Sequence, residues 1–324
     1  MNGKRPPGAF RIDPAFASAL AQRDQVTEHE VDPMSSIPAL RERAAKRYPY
    51  FSALIPERQG VSRWDATGVR PDGSEIALRW YYNETDTSVS MTAGVVYMHG
   101  GGMVLGELSY YDRIIERYVE SSGVPMLAVD YRLAPENPFP AGMDDCVMGV
   151  RWLIDNAERL GVDPDRIAVM GDSGGGGLAA SAALFCRDHG LSLSAQLLIY
   201  PMLDDRTIRP DKWLEPYIGW NYGDNAAAWS AVLSARGQDQ QNMRYAVPAR
   251  EAHLEGLPRT YLDVGELDIF RREVLEYATR LTDAGVSTEL HLHPSVPHGY
   301  DLAAPQIELT RRTLADRIRM LRSL

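Results

Sequence analysis

The chain has 324 residues, 44% of them hydrophobic and 24% charged, ordinary globular usage that excludes a disordered chain, a coiled coil and a collagen-like fibre. Its formal net charge is −10 and no Lys/Arg-rich run occurs, so no nucleic-acid partner is expected. The length suits either two domains or one α/β domain with insertions.

Met1 to Phe10 carries Lys4 and Arg5 but no apolar stretch of the kind a signal peptide needs. Residues 1–55 read as amphipathic cap helices, broken at Pro14, Pro33 and Pro38, that precede any strand signal. Val61–Gly68 and Ile76–Tyr82 flank a Pro71-Asp72-Gly73 turn and read as a hairpin. From residue 94 strands and helices alternate. Val95–Met98, Met126–Val129, Ile167–Met170, Ala195–Tyr200, Tyr261–Val264 and Thr288–Leu292 read as strands. Tyr111–Glu120, Asp144–Leu160, Leu178–Cys186 and Arg271–Ala284 read as helices, as does a last one with Ile307, Leu314, Ile318 and Leu321 on one stripe. This alternation predicts an α/β fold, a mostly parallel sheet with helices on both faces.

Residues 56–202 and 258–324 would form that domain, and 203–257 interrupts it. The interruption holds Trp213, Tyr217, Trp220, Tyr222 and Trp229 without strand alternation. An insertion after a sheet strand sits over the carboxyl ends of the strands, where α/β proteins bind ligands. With the N-terminal helices it reads as a cap, and Trp213, Tyr217 and Trp220 are candidate substrate-binding residues; the alternative is that these aromatics pack the cap's own core. Cys146 and Cys186 offer neither a disulfide framework nor zinc spacing, which points to a reducing, cytoplasmic compartment. Apolar runs such as Leu197–Tyr200 are far too short to span a bilayer.

The strongest local signal is Gly171-Asp172-Ser173-Gly174-Gly175, between an apolar strand and a helix. That is the setting of a nucleophile elbow: the tight turn strains the serine backbone, and small neighbours avoid clashes. Gly175–Ala180 also matches a degenerate dinucleotide fingerprint. No acidic residue ends a strand about 20 residues on, however, and no Gly-Lys-Ser/Thr occurs. The second signal is His99-Gly100-Gly101-Gly102, directly after a strand. Consecutive glycines can aim backbone N–H groups at a tetrahedral oxyanion; Gly101 and Gly102 would give two donors and Gly174 a third.

A serine hydroxyl needs a base. In the order Ser, acid, His, the histidine after the last strand is His298, in Pro297-His298-Gly299. His291 and His293, two apart on one strand face, read as a solvated edge; a metal pair is the alternative, with no third ligand indicated. Asp263, Glu266 and Asp268 compete as the acid. Asp263 falls inside a strand; the other two lie in the loop beyond it.

Together with Tyr131-Arg132-Leu133-Ala134-Pro135-Glu136 and Glu266-Leu267-Asp268, these motifs resemble the hormone-sensitive-lipase-like esterases, the bacterial family IV branch of the α/β hydrolases, over roughly residues 60–324. The resemblance implies Asp268 as the acid of a Ser173–His298–Asp268 triad, and residues 131–136 as support beside the oxyanion loop. It also implies hydrolysis of a small carboxylic ester without metal or cofactor, and dimers are common among similar enzymes. An aromatic cap predicts short-to-medium acyl chains. Lactones, carbamates or amides are the alternative substrates. A non-catalytic hormone receptor of this fold would have lost the histidine that stands at 298. Two departures from the family pattern are Gly174 where alanine is commoner and Tyr300 where phenylalanine is.

Overall fold

The computed structural model describes residues 10–24, 36–84, 91–235 and 243–324. Its centre is formed by two apolar runs of the sequence. Val95–Met98 and Ile167–Met170 are fully buried, as strands covered on both faces of a parallel sheet must be. They belong to β3 (Thr92–Met98) and β5 (Val162–Asp172). Around them lie β1 (Val61–Val69), β2 (Glu75–Asn83), β4 (Met126–Val129), β6 (Ala195–Ile199), β7 (Arg259–Gly265) and β8 (Thr288–His293). The order across the sheet is β1-β2-β4-β3-β5-β6-β7-β8, parallel from β4 through β8 and antiparallel at β1/β2 and β2/β4. The β1–β2 hairpin closes where Asp72 accepts the Ser74 N–H (2.9 Å) and Gly73 takes φ +84°.

The helices are α1 (Pro14–Asp24), α2 (Ile37–Leu54), α3 (Leu108–Ser122), α4 (Ala141–Asp155), α5 (Ala157–Leu160), α6 (Gly174–Asp188), α7 (Tyr222–Val232), α8 (Met243–Ala246), α9 (Arg271–Asp283), α10 (Tyr300–Ala303) and α11 (Glu308–Arg322). The chain steps one way along the sheet from β3 to β4 and the other way from β4 to β5 to β6. Right-handed crossovers then put α3 on one face and α4 and α6 on the other; α3 packs on α11, and α4 on α6. The reversal leaves a crevice between the carboxyl ends of β3 and β5, the position where open α/β sheets bind ligands. No described helix is long and apolar enough to cross a membrane.

Several expectations are revised by tertiary context. Pro14 and Pro38 do not break helices but begin them: Pro14 opens α1 and Pro38 lies in the first turn of α2, where a missing N–H costs nothing. Pro33 lies outside the described residues. The helix expected over 144–160 stops at Asn156, whose side chain donates to the Trp152 carbonyl (2.8 Å). The helix expected from Leu178 starts four residues earlier, at Gly174. Glycine is a poor helix former, but the turn must pass under β3: a Cβ on Gly175 would stand 2.1 Å from the Met98 carbonyl oxygen. Between β6 and β7 the chain forms α7, α8 and a 3₁₀ turn at Pro248–Arg250. The α7 helix meets α2, with an Arg43–Asp224 ion pair at 2.9 Å.

Candidate active site

Ser173 follows β5 directly and precedes α6, with φ +56° and ψ −120°. A β-carbon residue adopts that left-handed region only under constraint. Here the Ser173 N–H donates to the Ile199 carbonyl (2.9 Å), and its own carbonyl accepts from Met202 N (2.9 Å) and Gly177 N (3.0 Å). The turn after β6 thereby brackets the elbow. The side chain stands at the N-terminus of α6, where the helix dipole is positive.

His298 lies in the loop between β8 and α10. Its Nε2 is 2.8 Å from Ser173 Oγ, and its Nδ1 is 2.7 Å from Asp268 Oδ2. A carboxylate accepts, so Nδ1 carries the proton and the Nε2 lone pair faces the hydroxyl. Asp268 is fully buried, and its other oxygen accepts the Phe270 N–H (2.9 Å). The imidazole is held edge-to-face by Tyr200 (4.8 Å between centroids) and Phe270 (5.1 Å). The structure thus brings Ser173, His298 and Asp268 into one hydrogen-bonded line. The other two carboxylates are engaged elsewhere. Asp263 pairs with the buried guanidinium of Arg317 (2.6 Å). Glu266 accepts the Ser295 N–H (3.0 Å) and shapes the histidine loop at a residue with φ +65°.

Behind β3 the chain turns through Gly101 (φ +121°), Gly102 (φ +59°) and Met103 (φ +62°). His99 is buried; its Nδ1–H donates to the Gly100 carbonyl (2.8 Å), and Tyr131 stacks on it at 4.3 Å while donating to the His99 carbonyl (2.7 Å). Burial pushes the His99 pKa down to about 4, so it is neutral at neutral pH and shapes the loop. Residues 131–136 support the same loop: Ala134 N donates to the Met103 carbonyl (3.0 Å), and Arg41 of α2 reaches the Val104 carbonyl (2.8 Å) and the Ala134 carbonyl (3.0 Å).

Of Trp213, Tyr217 and Trp220, Trp220 packs against this loop: a Cβ on Gly102 would fall 2.7 Å from its ring. Its indole N–H is turned to Asn225 Oδ1 (3.3 Å). Trp213 is 44% exposed beneath Lys212, and the Tyr217 hydroxyl donates to the Phe10 carbonyl (2.9 Å). The two strand histidines also differ from expectation. His293 is buried, with its Nε2 3.3 Å from the Thr313 hydroxyl. His291 does have acidic neighbours: Nε2 meets Glu289 (2.6 Å) and Nδ1 meets Asp316 (3.7 Å). The two acids sit on different ring nitrogens, and Arg319 pairs with both. Glu289, His291 and Asp316 each offer a ligand atom within 4.8 Å of the others, but both carboxylates are already engaged by Arg319.

Residues 95–302 match the family described as having the alpha/beta hydrolase fold. The chain belongs to that family, in its hormone-sensitive-lipase-like branch. A carboxylesterase of Mycobacterium tuberculosis, NlhH, is 39% identical over 213 residues, which span 64% of this chain and 66% of that relative. An ethyl acetate hydrolase of Pseudomonas putida is 32% identical over 84% of this chain and 86% of its own length. Among solved structures, esterase LipW from Mycobacterium marinum superposes with a TM-score of 0.82 at 33% identity, covering 98% of each chain.

Within this branch of the α/β hydrolases, two features of the chain stand out. A Cβ at Gly174 would lie 2.7 Å from both Gly102 N and Met103 N, so the commoner alanine would not fit without a shift of the turn after β3. Asp172, beside the serine, is buried and accepts from the hydroxyls of Tyr97 (2.7 Å) and Tyr111 (3.2 Å). Burial raises its pKa to about 6, against the lowering pull of the Tyr97 hydroxyl. The folded state therefore binds this proton more tightly than the unfolded chain. The stability it contributes is complete below the unfolded value of about 3.9 and is lost as pH rises through about 6. Relative to Asp172→Asn, the native protein should lose up to about 3 kcal/mol between roughly pH 4 and 7. Urea denaturation of both across that range measures the difference; a difference independent of pH would contradict the assignment.

Proposed function

We propose that the chain hydrolyses small carboxylic esters with short-to-medium acyl groups, through an acyl-enzyme on Ser173. The observation that carries this reading is the continuous line from Asp268 through His298 to the Ser173 hydroxyl, at 2.7 and 2.8 Å. Ser173 Oγ attacks the ester carbonyl carbon while His298 Nε2 takes its proton. Asp268 holds the tautomer and stabilises the imidazolium. The carbonyl oxygen, now negative, is met by the N–H groups of Gly101, Gly102 and Gly174, donors of a kind worth about 10²- to 10³-fold each. The C–O bond to the alcohol breaks, and the alcohol leaves with the proton from Nε2. Water then adds to the acyl carbon, His298 takes a proton from it, and the acid departs as Ser173 is re-protonated. The names of the relatives, carboxylesterase and ethyl acetate hydrolase, support the same bond type.

The Trp220 ring against Gly102 supports a preference for short acyl groups, because it narrows the space beside the oxyanion loop. Cys146 and Cys186 are free and buried, which supports a reducing, cytoplasmic setting. The terminal strand β8 exposes Leu290 and Leu292, which supports pairing of two copies.

Two experiments test the reading. Asp268→Asn should keep the fold and lower kcat by about 10⁴-fold, because the histidine loses its tautomer, whereas Glu266→Gln should cost about tenfold or less, as a group that only shapes the loop. The reverse ranking would move the acid to Glu266. A soluble butyrate ester should turn over faster than an emulsified long-chain triglyceride; the opposite order would refute the short-chain assignment.

A further inference from the structure

The nucleophile and the base are carried by different segments, and one side chain joins the two. Tyr200 sits in the turn after β6 with φ +33°, between Ile199, which accepts the Ser173 N–H, and Met202, which donates to the Ser173 carbonyl. Its ring edge lies against the His298 imidazole at 4.8 Å. Its hydroxyl donates to Asp301 Oδ1 (2.9 Å), three residues after His298 in α10. Asp301 is buried and is paired at its other oxygen with Arg317 of α11. Arg317 is itself fully buried. It binds both oxygens of Asp263 in β7 (2.6 and 3.0 Å), donates to the Tyr118 hydroxyl oxygen (3.0 Å), and stands over the face of the Tyr200 ring at 5.6 Å. The backbone closes the same loop, since Tyr200 N donates to the Asp263 carbonyl (2.8 Å).

We infer that Tyr200, anchored through Asp301 on Arg317, is a positioning residue that registers His298 against Ser173. The inference rests on the triad reading above. Both ends of the strut are buried, and each fixes one partner of the proton transfer. The backbone on either side of Tyr200, at Ile199 and Met202, holds the elbow, and the Tyr200 hydroxyl holds the helix that follows the base. Arg317 is what lets Asp301 serve as the anchor. A carboxylate at that depth must be paired, and the guanidinium also ties it to β7, next to the strand that carries the Tyr200 turn. Proton transfer from Oγ to Nε2 depends steeply on alignment, so a loosened strut should slow chemistry more than it weakens binding.

Tyr200→Phe keeps the ring against His298 and removes only the hydroxyl; Asp301→Asn removes the charge of the anchor while leaving Arg317 on Asp263. The measurement is kcat and KM for a soluble butyrate ester, with melting temperature, for both single variants, the double variant and Ser173→Ala. The expected result is a fall in kcat of about tenfold in Tyr200→Phe with KM within twofold, and a double variant no slower than the worse single one, as for two parts of one device. Wild-type kcat in Tyr200→Phe would overturn the strut, as would single losses that multiply in the double variant. Ser173→Ala keeps the two levels apart: if it stays active, the triad reading itself has failed, whereas an inactive Ser173→Ala beside an unaffected Tyr200→Phe removes the strut alone.

Discussion

A serine held at φ +56° is the constraint around which the surrounding structure is arranged. Such a backbone costs about 1–3 kcal/mol and survives only where neighbours over-determine it. Its N–H and carbonyl are both taken by the turn after β6. The helix behind it must approach β3 so closely that a methyl group at Gly175 would enter the Met98 and His99 carbonyls. The same turn places Tyr200 against His298, and the same close approach brings Gly174 beside the oxyanion loop. Ser173, His298 and the glycines at 101, 102 and 174 are thus brought together by one tight passage between the two central strands.

Other parts of the site are braced from elsewhere in the fold. The turn after β3 is held by Arg41 from α2, through the Val104 and Ala134 carbonyls. The histidine loop is held by α1, where Asp13 N donates to the Ser295 carbonyl (2.8 Å) and Phe16 packs with Val296 and Tyr300. Glu273 of α9, buried, accepts the N–H groups of Leu203 (2.6 Å) and Asp204 (3.3 Å) and so fixes the start of the segment that carries Trp220. Burial raises its pKa well above the usual carboxylate range, against the pull of the Thr207 hydroxyl and the two N–H groups.

What was legible in the sequence was whatever depends on local pattern. The apolar runs at Val95–Met98 and Ile167–Met170 could only be buried strands, and the motif at 171–175 carries its own steric logic. What depends on distant partners was not legible. Four glycines at 174–177 argue locally against a helix, and only the proximity of β3 and of the turn after β6 explains one there. Residues alone left Asp263, Glu266 and Asp268 open, because their division of labour is set by Arg317, Ser295 and His298, each 29 or more positions away. A signal for Arg317 did exist: it falls between Leu314 and Leu321 on the buried stripe of α11, where a charge must have a partner. The partner's identity needed the fold. The cap aromatics were the least legible, since an indole that lines a site and one that faces solvent look alike in sequence.

The proposed chemistry requires that one serine, and no other, be activated as a nucleophile. Labelling the protein with a serine-directed fluorophosphonate and mapping the adduct by peptide mass spectrometry tests it most directly. The expected result is one phosphonyl group per chain, on the peptide containing Ser173, with esterase activity lost in step with labelling. An adduct on a different serine, or activity that persists after Ser173 is fully modified, would contradict it.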